Sequence, residues 1–212
     1  MKITIIYDNT AINENLIADW GFSTLIEFKG KRILFDTGAK GSVLLKNMHT
    51  LGIDPQSIDE VFISHYHYDH TGGLSTFFDL NNDVTLYIPP SFKGVHNHAK
   101  LEYITGLTCL HQDIYSTGEL KKIEQSLIFK TENGLVIIVG CAHPKIGNIL
   151  KAAREVGKPY ALIGGFHGFR KFNLLKNMEI ICPTHCTRHI KEIKELYPKK
   201  YIEGGAGRII EI

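Results

Sequence analysis

The stretch Ile-Ser-His-Tyr-His-Tyr-Asp-His-Thr-Gly-Gly, residues 63–73, constrains this chain more than any other part of the sequence. It places three imidazoles and one carboxylate, those of His65, His67, His70 and Asp69, within six consecutive residues. Neutral imidazole nitrogens and carboxylate oxygens are ligands for zinc, iron and manganese. A chance cluster on a solvated loop is the alternative, but a carboxylate in register with three histidines favours a metal site.

The residues on either side of this stretch predict where it lies in the fold. Apolar residues 61–63 are typical of the end of a buried strand, and Leu74 begins a predicted helix. Gly72 and Gly73 allow a sharp turn between the two. We therefore expect the four side chains on a strand-to-helix loop, where they can converge on one point.

Three further histidines, His143, His167 and His185, each follow an apolar segment that we predict to be a strand. Strands that end at the same edge of a sheet deliver their side chains to one cleft. We expect His143 and His185 to join the metal site. For His167 the two interpretations, a member of the site and an ordinary loop histidine, are balanced.

Length and pattern predict a single domain over residues 1–212. The hydrophobic content of 43% and the charged content of 22% are ordinary for a globular protein. The first half is rich in hairpin signals and the second alternates strands and helices, which predicts mixed sheets covered by helices. Residues 91–107 have no clear period; they hold His96 and His98, and we expect them to form a wall of the pocket.

Charge and cysteine content restrict partners and location. A net charge of +2 does not indicate binding to nucleic acid or to an anionic membrane. No apolar run reaches membrane-spanning length. The N-terminal residues resemble a first strand rather than a signal peptide. The four cysteines form no C-x-x-C pair, so we expect reduced thiols in a cytoplasmic protein. Cys182 and Cys186 flank His185 and are alternative ligands, although inert thiols are favoured.

The order of the motifs resembles the metallo-β-lactamase superfamily. The His65-x-His67-x-Asp69-His70 motif is followed by Gly-Cys-Ala-His at 140–143 and Pro-Thr-His at 183–185. Asp36 matches an early aspartate that is usually structural. The resemblance covers essentially the whole chain, and it implies an α/β fold, a four-layer αββα sandwich with metals at one edge.

The resemblance also implies how the ligands divide. His65, His67 and His143 would hold one metal, and Asp69, His70 and His185 would hold a second. We expect one or two divalent ions, zinc first, with iron or manganese as alternatives. A bound dication brings the pKa of its water toward neutrality and so provides hydroxide, which Asp69 would orient as a catalytic group.

Within the superfamily, several segments resemble the branch of the dihydropterin-linked ribofuranosyl-aminobenzene phosphate synthases of methanopterin biosynthesis. These segments are residues 7–9, 20–23, 140–144, 163–167 and 183–187. The usual metal-bridging aspartate is missing, and Gly-Gly-Phe-His at 164–167 stands in its place, so we predict a catalytic role for His167. Arg188 stands where we expect glycine in this branch; a phosphate-binding guanidinium and a solvated helix residue are the two interpretations.

These observations favour a metal-dependent hydrolase that acts on a small, phosphorylated or otherwise anionic molecule. The alternatives are a pterin-diphosphate condensing transferase and a binding or sensing protein with little turnover. We expect a small-molecule substrate, and neither nucleic acid nor a membrane as partner.

Overall fold

A computed structural model describes residues 1–94 and 100–212 as two stacked β-sheets with helices on both outer faces. The first sheet has seven strands: β1 (Lys2–Tyr7), β2 (Ser23–Phe28), β3 (Lys31–Phe35), β4 (Glu60–Phe62), β5 (Thr85–Ile88), β6 (Leu101–Tyr103) and β13 (Ile209–Glu211). Their order is β13-β1-β2-β3-β4-β5-β6.

The second sheet has six strands: β7 (Thr108–His111), β8 (Ile114–Ser116), β9 (Leu127–Thr131), β10 (Gly134–Val139), β11 (Pro159–Gly165) and β12 (Ile180–Thr184). Their order is β12-β11-β10-β9-β8-β7. The helices are α1 (Gly41–Thr50), α2 (Tyr68–Thr71), α3 (Leu74–Phe78), α4 (Ile146–Ala153) and α5 (Ile190–Leu196), with 3-10 turns at Pro55–Ser57 and Phe172–Leu175. Among the described residues, no helix has both the length and the apolar content needed to cross a bilayer.

Alternation along the strands divides the buried side chains into three apolar layers. Ile5 of β1 and Ile138 of β10 belong to the core between the sheets. Their neighbours Ile6 and Ile137 face outward, against the layers that contain α1 and α4 respectively. Because a strand with apolar residues on both faces must be covered on both, the result is the expected αββα sandwich.

Helix α4 shows why packing, rather than capping, holds these helices in place. Its N-cap residue, Lys145, makes no side-chain cap, which costs about 1 kcal/mol relative to a good cap. The helix buries Ile146, Ile149 and Leu150 against the second sheet. Each buried aliphatic side chain contributes about 1.5–3 kcal/mol, so the apolar face outweighs the missing cap.

Three predicted elements differ from the structure. The sequence predicts a two-residue hairpin turn at Gly30-Lys31, but the β2–β3 turn is Lys29-Gly30, both with positive φ. The apolar pattern predicts one strand over residues 108–115, but this segment forms the hairpin β7–β8, and Asp113 in its turn has a left-handed conformation. The unpatterned region 91–107 contains β6, which pairs in parallel with β5. His96 and His98 lie outside the described residues.

Parallel strands place the functional loops at one edge of the sandwich. β3, β4 and β5 run parallel in the first sheet, and β10, β11 and β12 run parallel in the second. Asp36 follows β3, and the histidine loop follows β4. His143, His167 and His185 follow β10, β11 and β12, so the second sheet contributes three neighbouring strand ends.

Candidate metal centre

The first predicted ligand group comes together across the two sheets. Nε2 of His65 lies 3.0 Å from Nδ1 of His67, and the ring of His143 is centred 4.8 Å from each of their rings. One donor atom from each of the three residues lies within 4.8 Å of the others. His65 is fully buried and His67 is exposed, so this group lies at the mouth of the cleft.

The second predicted group also comes together. Asp69, His70 and His185 each offer a donor atom within the same 4.8 Å limit. Oδ2 of Asp69 is 3.2 Å from Nε2 of His185 and accepts a hydrogen bond of 2.8 Å from the indole of Trp20. Trp20 also contacts the ring of His185, a role that the resemblance of residues 20–23 did not specify.

Asp36 orients two of the histidines. Its carboxylate accepts hydrogen bonds from the main-chain N–H and the hydroxyl of Ser64, and Oδ2 lies 2.7 Å from Nδ1 of His70. Because the Ser64 hydroxyl donates to Asp36, its oxygen can accept from Nδ1 of His65 at 2.9 Å. Protons on both Nδ1 atoms leave each Nε2 with a lone pair, as metal-ligating histidines require.

The N-terminal strand orients His185 in the same manner. Asn9, just after β1, places Oδ1 3.0 Å from Nδ1 of His185 and donates from its amide to the His185 carbonyl. The buried carboxylate of Asp8 accepts from the main-chain N–H of His185. Burial raises the pKa of Asp8 to about 6. These contacts link residues 176 or more positions apart, so local sequence patterns could not indicate them.

Glu124 is a functional residue that the sequence analysis missed. Its fully buried carboxylate accepts hydrogen bonds from four successive main-chain N–H groups, residues 140 to 143. Burial raises its pKa to about 7, and the hydrogen bonds from His143 and its neighbours oppose that rise. Glu124 therefore fixes the loop that carries His143.

Close approach and backbone strain also mark these loops. A Cβ at Gly140 would lie 2.2 Å from Oγ of Ser64, so only glycine lets the loops after β4 and β10 meet. Asp36, Ala142, His167 and His185 all have φ between 47° and 55°. Such left-handed conformations cost about 1–3 kcal/mol each and cluster at functional sites.

His167 and Arg188 lie at the rim of the centre. The His167 ring is half-buried and centred 5.3 Å from the ring of His143, outside the two predicted ligand groups. Arg188 is exposed, and its main-chain N–H donates to the carbonyl of His167 at 2.9 Å. Helix α5 begins at Ile190, so Arg188 lies in the preceding turn rather than in the predicted helix.

The pKa shifts favour neutral rings at His65, His143 and His185 and an ionised carboxylate at Asp69, whereas the pKa of His70 shifts the other way. Burial, with further contributions from nearby histidines, lowers the pKa of His65 and lowers that of His143 to about 4. Burial also lowers the pKa of His185. For His70 the charge of Asp36 outweighs burial and raises the pKa. Burial would raise the pKa of Asp69, but His185 and His70 lower it overall.

The side chains present fit a divalent metal. Within the described residues, the buried Nε2 atoms of His143 and His185 have no aligned hydrogen-bond partner. A buried polar group without a partner costs about 1–3 kcal/mol, which a bound cation would offset. Neutral nitrogens and a carboxylate that converge within 4.8 Å are the donors that zinc and iron accept.

Comparisons with known proteins agree with this geometry. Residues 20–106 match the family model described as the metallo-β-lactamase superfamily. The chain is 29% identical to 7,8-dihydropterin-6-methyl-4-(β-D-ribofuranosyl)-aminobenzene-5'-phosphate synthase of Methanocaldococcus jannaschii, with 98% of this chain and 95% of that protein covered. That alignment spans 283 positions against 212 residues here, so the relative has insertions.

Solved structures share the fold. A metal-dependent hydrolase of the β-lactamase superfamily superposes with a TM-score of 0.79 at 24% identity, covering 100% of this chain and 99% of that one. A diphosphatase from the PhnP family superposes with a TM-score of 0.67 at 14% identity, covering 100% of this chain and 97% of that one.

Proposed function

We propose that this chain is a member of the metallo-β-lactamase superfamily and a metal-dependent hydrolase of a small, phosphorylated or otherwise anionic substrate. The observation that carries the proposal is the pair of adjacent ligand groups, one around His65 and one around Asp69. We propose one or two divalent ions, zinc first, held by His65, His67 and His143 and by Asp69, His70 and His185. The cytoplasmic location and the small-molecule substrate are parts of the same proposal.

A divalent metal bound by these residues supplies a Lewis acid and a water whose pKa approaches neutrality. The side chains of the protein orient the reacting groups. Oδ2 of Asp69 accepts a hydrogen bond from Trp20 and faces His185, so the carboxylate is a proton acceptor held in a set direction. The half-buried ring of His167 at the rim is suited to protonate a leaving group.

Positive charge at the rim supports an anionic substrate. Arg188 is exposed and tied through its main chain to His167, so its guanidinium can reach over the cleft. A guanidinium binds phosphate through two parallel hydrogen bonds. The structural likeness to a diphosphatase is consistent with this substrate class but, at 14% identity, extends only to the fold.

A condensing transferase is the second candidate, and one feature favours it beyond the relative's name. Three aromatic side chains of the site loops, Trp20, Tyr66 and Tyr68, are at least half exposed. Exposed rings are platforms on which a planar, pterin-like ring can stack. Against it, the chain lacks the insertions of the relative named as a synthase.

Metal analysis together with turnover of bis-p-nitrophenyl phosphate tests the proposal. We expect one to two zinc ions per chain and turnover that chelation abolishes and zinc restores. A metal-loaded protein that hydrolyses no phosphate ester but condenses a pterin diphosphate with an aromatic amine would favour the transferase. A metal-loaded protein with neither activity would favour a binding protein, and full activity after chelation would contradict all three.

Inhibition by inorganic pyrophosphate tests the substrate class. We expect competitive inhibition that weakens in Arg188→Ala and stays unchanged in Arg154→Ala, an exposed arginine after α4. If no phosphate compound inhibits, an ester or lactone substrate replaces the phosphorylated one.

A further inference from the structure

Two thiols lie beside the second ligand group. Cys141 is buried in the loop after β10, and its Sγ is 3.2 Å from Nε2 of His70. Cys186 is half-buried and directly follows His185. One donor atom each from Cys141, His185 and Cys186 falls within 4.8 Å of the others, as close a group as the histidine trio.

Gly165 lies directly against the thiol of Cys186. A Cβ at this position would lie 2.4 Å from the carbonyl oxygen of Gly140 and 2.7 Å from Sγ of Cys186. Gly165 belongs to the Gly-Gly-Phe-His segment in which the superfamily pattern expects a metal-bridging carboxylate. The carbonyl oxygen of Gly140 and the thiol of Cys186 therefore leave no space for a side chain at position 165.

The other two cysteines belong to none of the potential ligand groups that the described residues form and provide a comparison. Cys182 is fully buried within the apolar core between the sheets. Cys109 is exposed on β7 and donates to the carbonyl of His111. Among the described residues, Cys141 and Cys186 are the cysteines whose sulfur atoms lie within 4.8 Å of an imidazole nitrogen in a group of potential metal ligands.

We propose that Cys141 and Cys186 are thiolate ligands of the second metal, joining His185 where a bridging carboxylate is absent. Two donors bound to one zinc ion at about 2.0–2.3 Å lie at most about 4.6 Å apart. The three donor atoms, within 4.8 Å of one another, need only a small closure to meet that geometry. Thiolates favour zinc and iron over manganese and magnesium, so the second site selects a softer metal.

This inference rests on the metal-dependent function proposed above and specifies one of its two sites. Cobalt(II) substitution tests it, since cobalt–thiolate bonds give charge-transfer absorption in the near ultraviolet and nitrogen or oxygen ligands do not. We expect this band in the wild-type protein loaded with two cobalt ions. It should persist in Cys109→Ser and fall by at least half in Cys186→Ser and in Cys141→Ser.

A measurement on the wild-type protein tests sulfur ligation even if a buried-cysteine variant fails to fold. X-ray absorption at the zinc edge should show sulfur scatterers at about 2.3 Å in addition to nitrogen and oxygen near 2.0 Å. Only nitrogen and oxygen scatterers, or a two-cobalt protein without the band, would overturn sulfur ligation. Hydrolysis without sulfur ligation would support the proposed function and contradict this inference. Sulfur ligation without hydrolysis would support this inference and contradict the proposed hydrolase. A chain that binds no metal would contradict both.

Discussion

The carboxylate of Asp69 faces both His70 and His185, which makes Asp69 an informative residue to change. Asp69→Asn retains the volume but replaces an oxygen acceptor with an amide, so it ligates and orients poorly. We expect kcat to fall about 10²–10⁴-fold with circular dichroism unchanged. Asp83→Asn, at an aspartate that is 91% exposed, should leave kcat unchanged. Wild-type turnover in Asp69→Asn would remove Asp69 from the reaction.

His167 and His185 should separate catalysis from metal binding. His185 is buried, oriented by Asn9, and directs Nε2 toward Asp69. His167 is half-buried at the rim. We expect His185→Ala to lose the second metal, whereas His167→Ala lowers kcat more than it lowers metal content. Metal analysis and steady-state kinetics on both variants provide the comparison. If His167→Ala lost one metal and recovered activity in excess zinc, His167 would be a ligand.

The candidate metal ligands could be predicted where they lie close together in the sequence. His65, His67, Asp69 and His70 lie in one short stretch, and the structure brings them together with His143 and His185. The orienting residues could not be predicted, because Glu124 and Asn9 act through contacts to distant loops. An isolated polar residue before or after a strand has the same local pattern whether it is solvated or buried.

At the scale of elements, strands with a clear apolar pattern are predictable and the turn of one hairpin is not. The apolar patterns over residues 2–8, 85–88 and 135–139 predict strands, and β1, β5 and β10 begin and end within one residue of these ranges. The β7–β8 hairpin was missed because its turn residue Asp113 has a left-handed backbone conformation but no neighbouring glycine. Aspartate tolerates this conformation, so the turn forms without the glycine that would mark it in the sequence.

The loop after β10 depends on Glu124, and its removal should show how loop geometry supports metal binding. Glu124→Ala leaves four buried N–H groups without their acceptor, and hydrogen bonds to a charged group are each worth about 1.5–3 kcal/mol. We expect unfolding free energy, from urea titration, to fall by about 3 kcal/mol or more. Zinc affinity at the His65 site should fall as well, because His143 loses its fixed position.

Glu124→Gln provides a graded comparison, since it keeps one acceptor oxygen, and Glu132→Ala in the exposed β9–β10 turn is the control. An unchanged urea midpoint in Glu124→Ala would mean that the four N–H groups find other partners.

At the scale of the whole molecule, the candidate centre joins the two sheets. His65, His67 and His70 come from a loop of the first sheet, and His143 and His185 come from loops of the second. Asn9, just after β1, also contacts the centre through His185. Strand β13 pairs with β1, so the two ends of the chain lie side by side. A metal bound at this junction connects elements that otherwise meet through the apolar core between the sheets.

Metal removal should therefore lower the stability of the entire fold. A ligand that binds only the folded state stabilises it by RT ln(1 + [L]/Kd), about 4 kcal/mol at a thousandfold excess over Kd. One kcal/mol shifts Tm by about 2–4 °C in a chain of 150–250 residues, so saturating zinc should raise Tm by about 8–16 °C over the chelated protein. Differential scanning calorimetry at several zinc concentrations measures how Tm rises with the zinc concentration.

Magnesium should have little effect on Tm because imidazoles bind it weakly, and His65→Ala should reduce the rise in Tm that zinc causes. Equal Tm values with and without zinc would mean that the converging side chains do not bind it.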